Sequence, residues 1–416
     1  MNKFIITLFL FYFSSAYTQW NQLTTGTTAD LRSLFFLNPN TGYSCGASGT
    51  VIKTTNGGIN WSSLNSGLTD NLNSIYFLTP QTGYACGNAG KIIYTSNGGL
   101  NWIAAQSSVT DNLFSIHGNF CTGSNGNLLV TTNGGINWQV SAGGFLSTYY
   151  GITSLSASTA AACGVNTIFQ PLIARTTNGG INWSYSSFYL NGNEGNLRDI
   201  IYLNASSMLA VSNVWDGTGG ISFSSNSGVN WSTQLFSLPL NSIDMAGSFG
   251  FSAGLQGYVL KTTDQGISWQ QSQTGLTANF RCADIIDSLN AYICGDGGVI
   301  IKTTNGGITF IQPISNNTPE KFSLSQNYPN PFNPSTTIRF SIPLLRGVSG
   351  EAGRGMFTLL KIYDILGNEI ETLVNQSIAP GTYSVEWNAA NYPSGVYFYT
   401  LSSGDFRQTY KMVLIK

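Results

Sequence analysis

The phrase Ile52–Trp61, IKTTNGGINW, returns with variations six more times, ending at Trp102, Trp138, Trp183, Trp231, Trp269 and Phe310. Successive copies are spaced by 41, 36, 45, 48, 38 and 41 residues. A unit of that length is one four-stranded blade, and seven copies fall within the range that closes a ring. The repeat therefore predicts an all-β chain whose larger part, residues 19–314, is a seven-bladed β-propeller.

The first full unit shows how a blade is encoded. Leu31–Leu37 (LRSLFFL) is apolar enough for a strand buried on both faces. Gly42–Gly46 and Val51–Thr54 supply two more strands. Asn56-Gly57-Gly58 makes a tight turn, because Asn and Gly tolerate the positive φ of a two-residue hairpin. Trp61 opens the fourth strand, where its ring is expected to fill the widening gap between blades. Trp20–Leu23, followed by Thr24–Asp30, repeats the segment from Trp61 to Asp70 without the strands before it. Such a stray fourth strand can complete the last blade from the N-terminus. Thr309–Pro313 competes for the same role, and the sequence leaves both open.

Charged residues make up 8% of the chain, against roughly 25% in ordinary soluble proteins. Solubility falls to Asn, Ser, Thr and Gly, a balance common in extracellular β-proteins. A net charge of −1 offers no footing for nucleic acid. His117 is the only histidine, which leaves almost no material for His-based triads or multi-His metal sites. No cofactor is implied and no catalytic residue is assigned. Residues 1–18 are expected to be a signal peptide: Lys3, the apolar run Phe4–Phe13, then Ser14-Ser15-Ala16. That run is too short to span a bilayer, and no later segment is long enough, so no transmembrane segment is predicted. Cys45, Cys86, Cys121, Cys163 and Cys294 share one slot of the repeat, and equivalent slots in different blades are expected to lie beyond disulfide reach. Cys282 is the exception. It faces Cys294 across a hairpin, and the bridge between them stays open.

Past Pro313 the repeat stops. Residues 315–321 are a polar linker, and 322–416 carry a new pattern of short alternating strands that predicts a small Ig-like β-sandwich.

Two resemblances follow from these residues. Thr54-x-Asn56-x-Gly58-x-Asn60-Trp61 resembles the Asp-box of BNR-repeat propellers, with Asn mostly standing for Asp. With its GYxCG second strand, the whole unit looks most like the photosystem II assembly-factor type. The tail, with YPNPFNP (Tyr328–Pro334), LKIYDIL (Leu360–Leu366), GTYSVEW (Gly381–Trp387), GVYFYTL (Gly395–Leu401) and a terminal KMVLIK, resembles the C-terminal sorting domain of type IX secretion cargo. That resemblance implies export by the type IX machinery to the cell surface or the medium.

Topology places the second–third turns and the interblade loops on one face, around the central opening. The second residue of each innermost strand should ring that opening: Arg32, Asn73, Phe114, Tyr150, Arg198, Asn241 and Arg281. The planar guanidinium fork suits carboxylate, phosphate or sulfate, although acids such as Asp30 or Asp199 could occupy it instead. Blade five has an enlarged loop with Trp215 and Asp216, and the preceding interblade loop carries Tyr189, Asn191, Asn193 and Glu194. An exposed aromatic on a loop can stack on a sugar or anchor a protein. Asp30, Asp70 and Asp111 recur singly in turns, which suits turn capping better than calcium.

The resulting expectation is a secreted or surface-attached, non-catalytic propeller that recognises a glycan or a protein. Two alternatives stand beside it. A sialidase-like glycoside hydrolase would draw on Arg32, Arg198, Arg281, Tyr150, Glu194 and Asp216, yet Glu194 is the only glutamate of the propeller and no FRIP-like motif occurs. An extracytoplasmic assembly or scaffold role rests on resemblance alone.

Overall fold

The computed structural model describes residues 20–141, 147–272, 274–304, 306, 312–315, 319–344, 356–389 and 392–416. The expected signal peptide and the end of the seventh repeat, with Phe310, lie outside the described residues. The chain divides into two compact units, with the division after Gly307.

The first unit contains seven antiparallel sheets, one per repeat. Blade 1 pairs Leu31–Phe36, Gly42–Gly46, Val51–Thr54 and Ser62–Leu64 in chain order. Blades 2 to 6 repeat this meander, and blade 3 gains Gln106–Ser107 as a parallel outer strand. Blade 7 takes only three strands from its own repeat, Phe280–Ile285, Ala291–Gly295 and Ile300–Thr303. Its fourth is Asn21–Leu23, antiparallel to Ile300–Thr303. The N-terminal segment therefore closes the ring. Trp20 is 1% exposed, donates from Nε1 to Ser272 Oγ at 3.0 Å, and stands edge-on to Phe251 of blade 6 at 4.8 Å. Trp138 and Trp183 make the corresponding edge-on contacts with Tyr84 and Phe120 of the preceding blades, which is the gap-filling expected of the repeat tryptophans.

The box residues act as a hairpin staple. Thr54 Oγ1 accepts from Gly58 N at 2.9 Å, and Asn56 Oδ1 accepts from Asn60 N at 2.9 Å and from Thr54 Oγ1 at 3.0 Å. The same set recurs around Thr95/Asn97, Thr176/Asn178 and Ser224/Asn226. Asp264 performs it with a carboxylate, held down to about 2 chiefly by the hydroxyl and amide of Ser268. Asn and Asp serve equally here, because the turn needs only an acceptor oxygen. Asp30 and Asp111 cap turns, accepting from Gly297 N and from the amides of Asn125 and Asn127.

Two expectations change. Cys86 and Cys121, from equivalent slots of neighbouring blades, lie in one core cluster because the blades pack face to face. Cys282 and Cys294 are register partners, and all six cysteines are free thiols. The expected domain boundary also moves. Gln312–Ser315, which includes the end of the other closure candidate Thr309–Pro313 and the first residue of the expected linker, pairs instead with Gly381–Asn388 of the second unit.

That unit is a sandwich of two four-stranded sheets. One is built on Ser335–Ile342 and Gly381–Asn388, the other on Met356–Tyr363, Glu369–Ile378, Gly395–Ser403 and Phe406–Leu414. Trp387, Tyr399, Phe340 and Phe332 fill the core between them. The YPNPFNP segment is tied in by Asn327, whose amide donates to Thr336 Oγ1 and to the Pro329 carbonyl.

The swapped-in strand supplies one prediction. Trp20→Ala is expected to cost about 3–5 kcal/mol, the range for emptying a buried tryptophan site, measured as a lower denaturation midpoint. An unchanged midpoint would mean that the ring is held shut by other contacts.

Candidate functional site: the central channel

Each innermost strand carries a β-bulge at the same point of the repeat, near its start: Leu31/Ser33, Leu72/Ser74, Leu113/Ser115, Tyr149/Gly151, Leu197/Asp199, Leu240/Ser242 and Phe280/Cys282. In every case the ladder skips the one residue between them. A bulge re-aims the side chain it frees. The seven freed residues are Arg32, Asn73, Phe114, Tyr150, Arg198, Asn241 and Arg281, and all seven line one cavity of about 460 Å³ along the ring axis. The ring read from the repeat is therefore present.

Its three arginines are not equivalent. Arg281 is spent: Nε and Nη2 grip Asp296 Oδ1 and Oδ2 at 2.8 and 2.9 Å. Asp296 stands in the second–third turn of blade 7 and also accepts from Asn279 at 3.0 Å. Neither Asp30 nor Asp199, the acids expected from the sequence, takes this part. Arg32 donates Nη1 to Asn73 Oδ1 at 2.7 Å, and Asn73 passes on to the Leu113 carbonyl at 2.6 Å. Arg198 has no hydrogen-bond acceptor among the described residues. Its guanidinium lies 4.4 Å over the ring of Tyr150, which in turn leans on Phe114 at 5.2 Å. Burial lowers the Arg198 guanidinium from its ordinary value, though it stays charged. One face is stacked and the in-plane donors are open, so the group is set up to bind an oxyanion.

Trp215, Asp216 and Glu194 form a separate cluster outside the channel lining. Trp215 is 57% exposed and meets Phe169, equally exposed, edge-on at 6.0 Å. Glu194 touches this loop only through its carbonyl, which accepts from Trp215 N, and its side chain is exposed. Asp216 is bound to Thr218, whose hydroxyl and amide lower its carboxyl. Phe169 was not foreseen; its position in the second–third turn of blade 4 was the available signal.

The repeat also hid a set of acids. Asp199, Asp244 and Asp284 line the channel and are half-buried. Each accepts a backbone amide of the next blade: Ile243 N on Asp199 at 3.1 Å, Ile285 N on Asp244 at 2.7 Å, Phe36 N on Asp284 at 2.5 Å. Elsewhere a neutral group makes this stitch, as with Ser33 to Ile75 N, Ser74 to Ile116 N and His117 Nδ1 to Ser154 N. Burial pushes Asp199 up to about 6 and Asp244 to about 7. It raises Asp284 well above the carboxylate range, with Asp244 adding to the shift. Burial also depresses His117 to about 4, so the imidazole is neutral. Among the described residues no group of three His, Cys, Asp or Glu side chains is placed to hold a metal ion.

These raised carboxyls fix the pH response. The folded protein retains protons that the unfolded chain releases near its ordinary carboxyl value, so stability falls as pH climbs from about 4 through about 7. Asp244→Asn keeps an acceptor for Ile285 N and removes that residue's share. The loss of thermal midpoint between about pH 5 and about pH 8 is expected to be smaller in the variant. Equal losses would show that Asp244 is not held protonated.

Comparison with known proteins matches the two halves separately. Residues 326–416 match the family described as secretion system C-terminal sorting domain, and residues 13–113 match photosynthesis system II assembly factor YCF48. No curated protein matches the chain. A solved structure of YCF48 bound to D1 peptide is 19% identical, with a TM-score of 0.56 over 70% of this chain and 98% of its own. YCF48 from Cyanidioschyzon merolae is 16% identical, with a TM-score of 0.56 over 68% of this chain and 98% of its own. The WD40 propeller domain of Doa1 is 13% identical, with a TM-score of 0.51 over 68% and 94%. At these identities the likeness is one of fold. The chain combines a BNR-repeat propeller resembling the photosystem II assembly-factor type with a type IX secretion C-terminal sorting domain.

Proposed function

We propose that this is a secreted or surface-attached recognition protein without catalytic activity, delivered through its sorting domain and binding a ligand that presents an acidic group to the channel mouth. The carrying observation is Arg198, a stacked guanidinium with open donors inside a cavity of about 460 Å³. The exposed Trp215–Phe169 pair stands on turns of the same face and offers an aromatic surface beside that anion site. A glycan bearing carboxylate or sulfate fits both features: charge-assisted hydrogen bonds hold the anion, and a sugar face stacks on the indole. The hydrolase reading finds less support. Tyr150 lies under Arg198 rather than beside a carboxylate, and Glu194 stands on a separate exposed loop. A peptide ligand remains the second reading, because one similar propeller is described as bound to a D1 peptide.

Two experiments test the proposal. On an array of neutral and acidic polysaccharides, the full chain is expected to bind acidic members only. Arg198→Ala should weaken that binding about tenfold, the scale of one lost charge-assisted contact. Binding that ignores glycan charge, or survives Arg198→Ala intact, overturns the anion-site reading. For delivery, a chain ending at Lys321 should stay inside the cell envelope while the full chain reaches the surface or medium, as scored by cell fractionation. Equal delivery of both would remove the sorting role of residues 322–416.

A further inference from the structure

The channel is electrically polarised along its length, and no part of the proposed function uses its second half. Arg198 is the bulged residue of its strand, equivalent to Asn241 and Arg281, while Asp244 and Asp284 stand three residues beyond the bulged residues of theirs. Three residues of strand separate the two levels, roughly 10 Å at the usual rise. Blades 5, 6 and 7 are consecutive, so the guanidinium and the two carboxyls stand on one side of the channel. Phe35 and Tyr76, the corresponding residues of blades 1 and 2, also line the cavity, as do Ile201 and Met245. The cavity thus runs from a cationic end to an acidic end whose other walls are aromatic and aliphatic.

Stitching the blades together does not require the acids. Ser33, Ser74 and His117 hold the next blade with neutral acceptors. Two adjacent carboxyls in a half-buried site repel each other when ionised, a cost that a neutral residue avoids. A pair of acids of this kind, retained in a cavity where a neutral group would do, marks functional sites more often than structural ones.

We propose that the channel binds a linear zwitterion, a molecule with a carboxylate at one end and a primary ammonium at the other. The carboxylate takes the open donors of Arg198. The ammonium lies between Asp244 and Asp284, at the level of Phe35 and Tyr76, and the methylenes span the three-residue step between the two levels. This rests on the reading of Arg198 as an anion-binding group and adds the cation end.

Equilibrium binding of 6-aminohexanoate, hexanoate and hexylamine to the full chain tests it. The zwitterion is expected to bind at least about tenfold more tightly than either single-charge analogue, the scale of one added charge-assisted contact. In an Asp244→Asn/Asp284→Asn variant, which keeps the acceptors for Ile285 N and Phe36 N, its affinity should fall to that of hexanoate. In Arg198→Gln it should fall to that of hexylamine. Thermal midpoints confirm that both variants are folded. If hexanoate binds as well as the zwitterion, the cation end is wrong and the anion site stands. If Arg198→Gln leaves hexanoate binding unchanged, both readings fall. No binding of 6-aminohexanoate overturns the proposal outright. If it holds, L-lysine and a peptide ending in lysine, compared with the same peptide amidated at its C-terminus, separate a free ligand from a chain terminus.

Discussion

The closing interface of the ring and the one beside it each turn on a single carbonyl oxygen, that of the first glycine in the box. Gly98 O of blade 2 accepts from Tyr43 Oη and Lys53 Nζ of blade 1, each at 2.9 Å. Gly57 O of blade 1 accepts from Tyr292 Oη and Lys302 Nζ of blade 7, each at 3.0 Å. The closing interface thus repeats an internal one bond for bond. The carbonyl points at the preceding blade because the turn runs through positive φ, 67° at both Gly57 and Gly98. At the next position a side chain would not fit: a Cβ on Gly135 would stand 2.1 Å from the ring of Tyr84. Turn chemistry and interblade contact are therefore one constraint, and it explains where some of the few cations went. Arg175 does the same work for Ser227 O.

That constraint is local in sequence, which is why the fold was legible. Thr54, Asn56, Gly58 and Trp61 lie within a few residues of one another and recur at blade period. The residues ringing the channel were legible for the same reason, since a bulge at a fixed strand position repeats with the blade. What stayed hidden depends on which blades are neighbours and on which turn residue reaches inward. Asp296 occupies a turn slot held by Ala47 in blade 1 and Leu255 in blade 6, so nothing marked it as the partner of Arg281. Asp244 and Asp284 sit where other blades carry Phe35, Tyr76 or Ile201, and each looked like an isolated exception. The competition between Trp20 and Thr309–Pro313 was settled by pairing partners from opposite ends of the chain, which no local pattern could rank.

The channel shows where repetition was given up. A propeller needs its inner strands apolar or neutrally hydrogen-bonded, and blades 1 to 4 comply below the arginine level with Ser33, Ser74, Ser115 and Gly151. Blade 5 places Asp199 at that level, and blades 6 and 7 place Asp244 and Asp284 two residues further along, each raised above its ordinary carboxyl value by burial. The unpaired cation belongs to the same sector, on blade 5. Opposite charges held about three residues apart along adjoining strands, roughly 10 Å, are too far apart to neutralise each other directly. Were structure the only demand, a shorter separation or neutral side chains would be more stable.

The channel and the sorting motifs belong to separate units. Every distinctive channel group lies within Gln19–Gly307, while the sorting motifs lie beyond Ser325 on a sandwich with its own core around Trp387. Gln312–Ser315 pairs inside the sandwich rather than completing blade 7, so the ring takes its closing strand from Asn21–Leu23. The propeller's seven sheets take no strand from the C-terminal unit among the described residues.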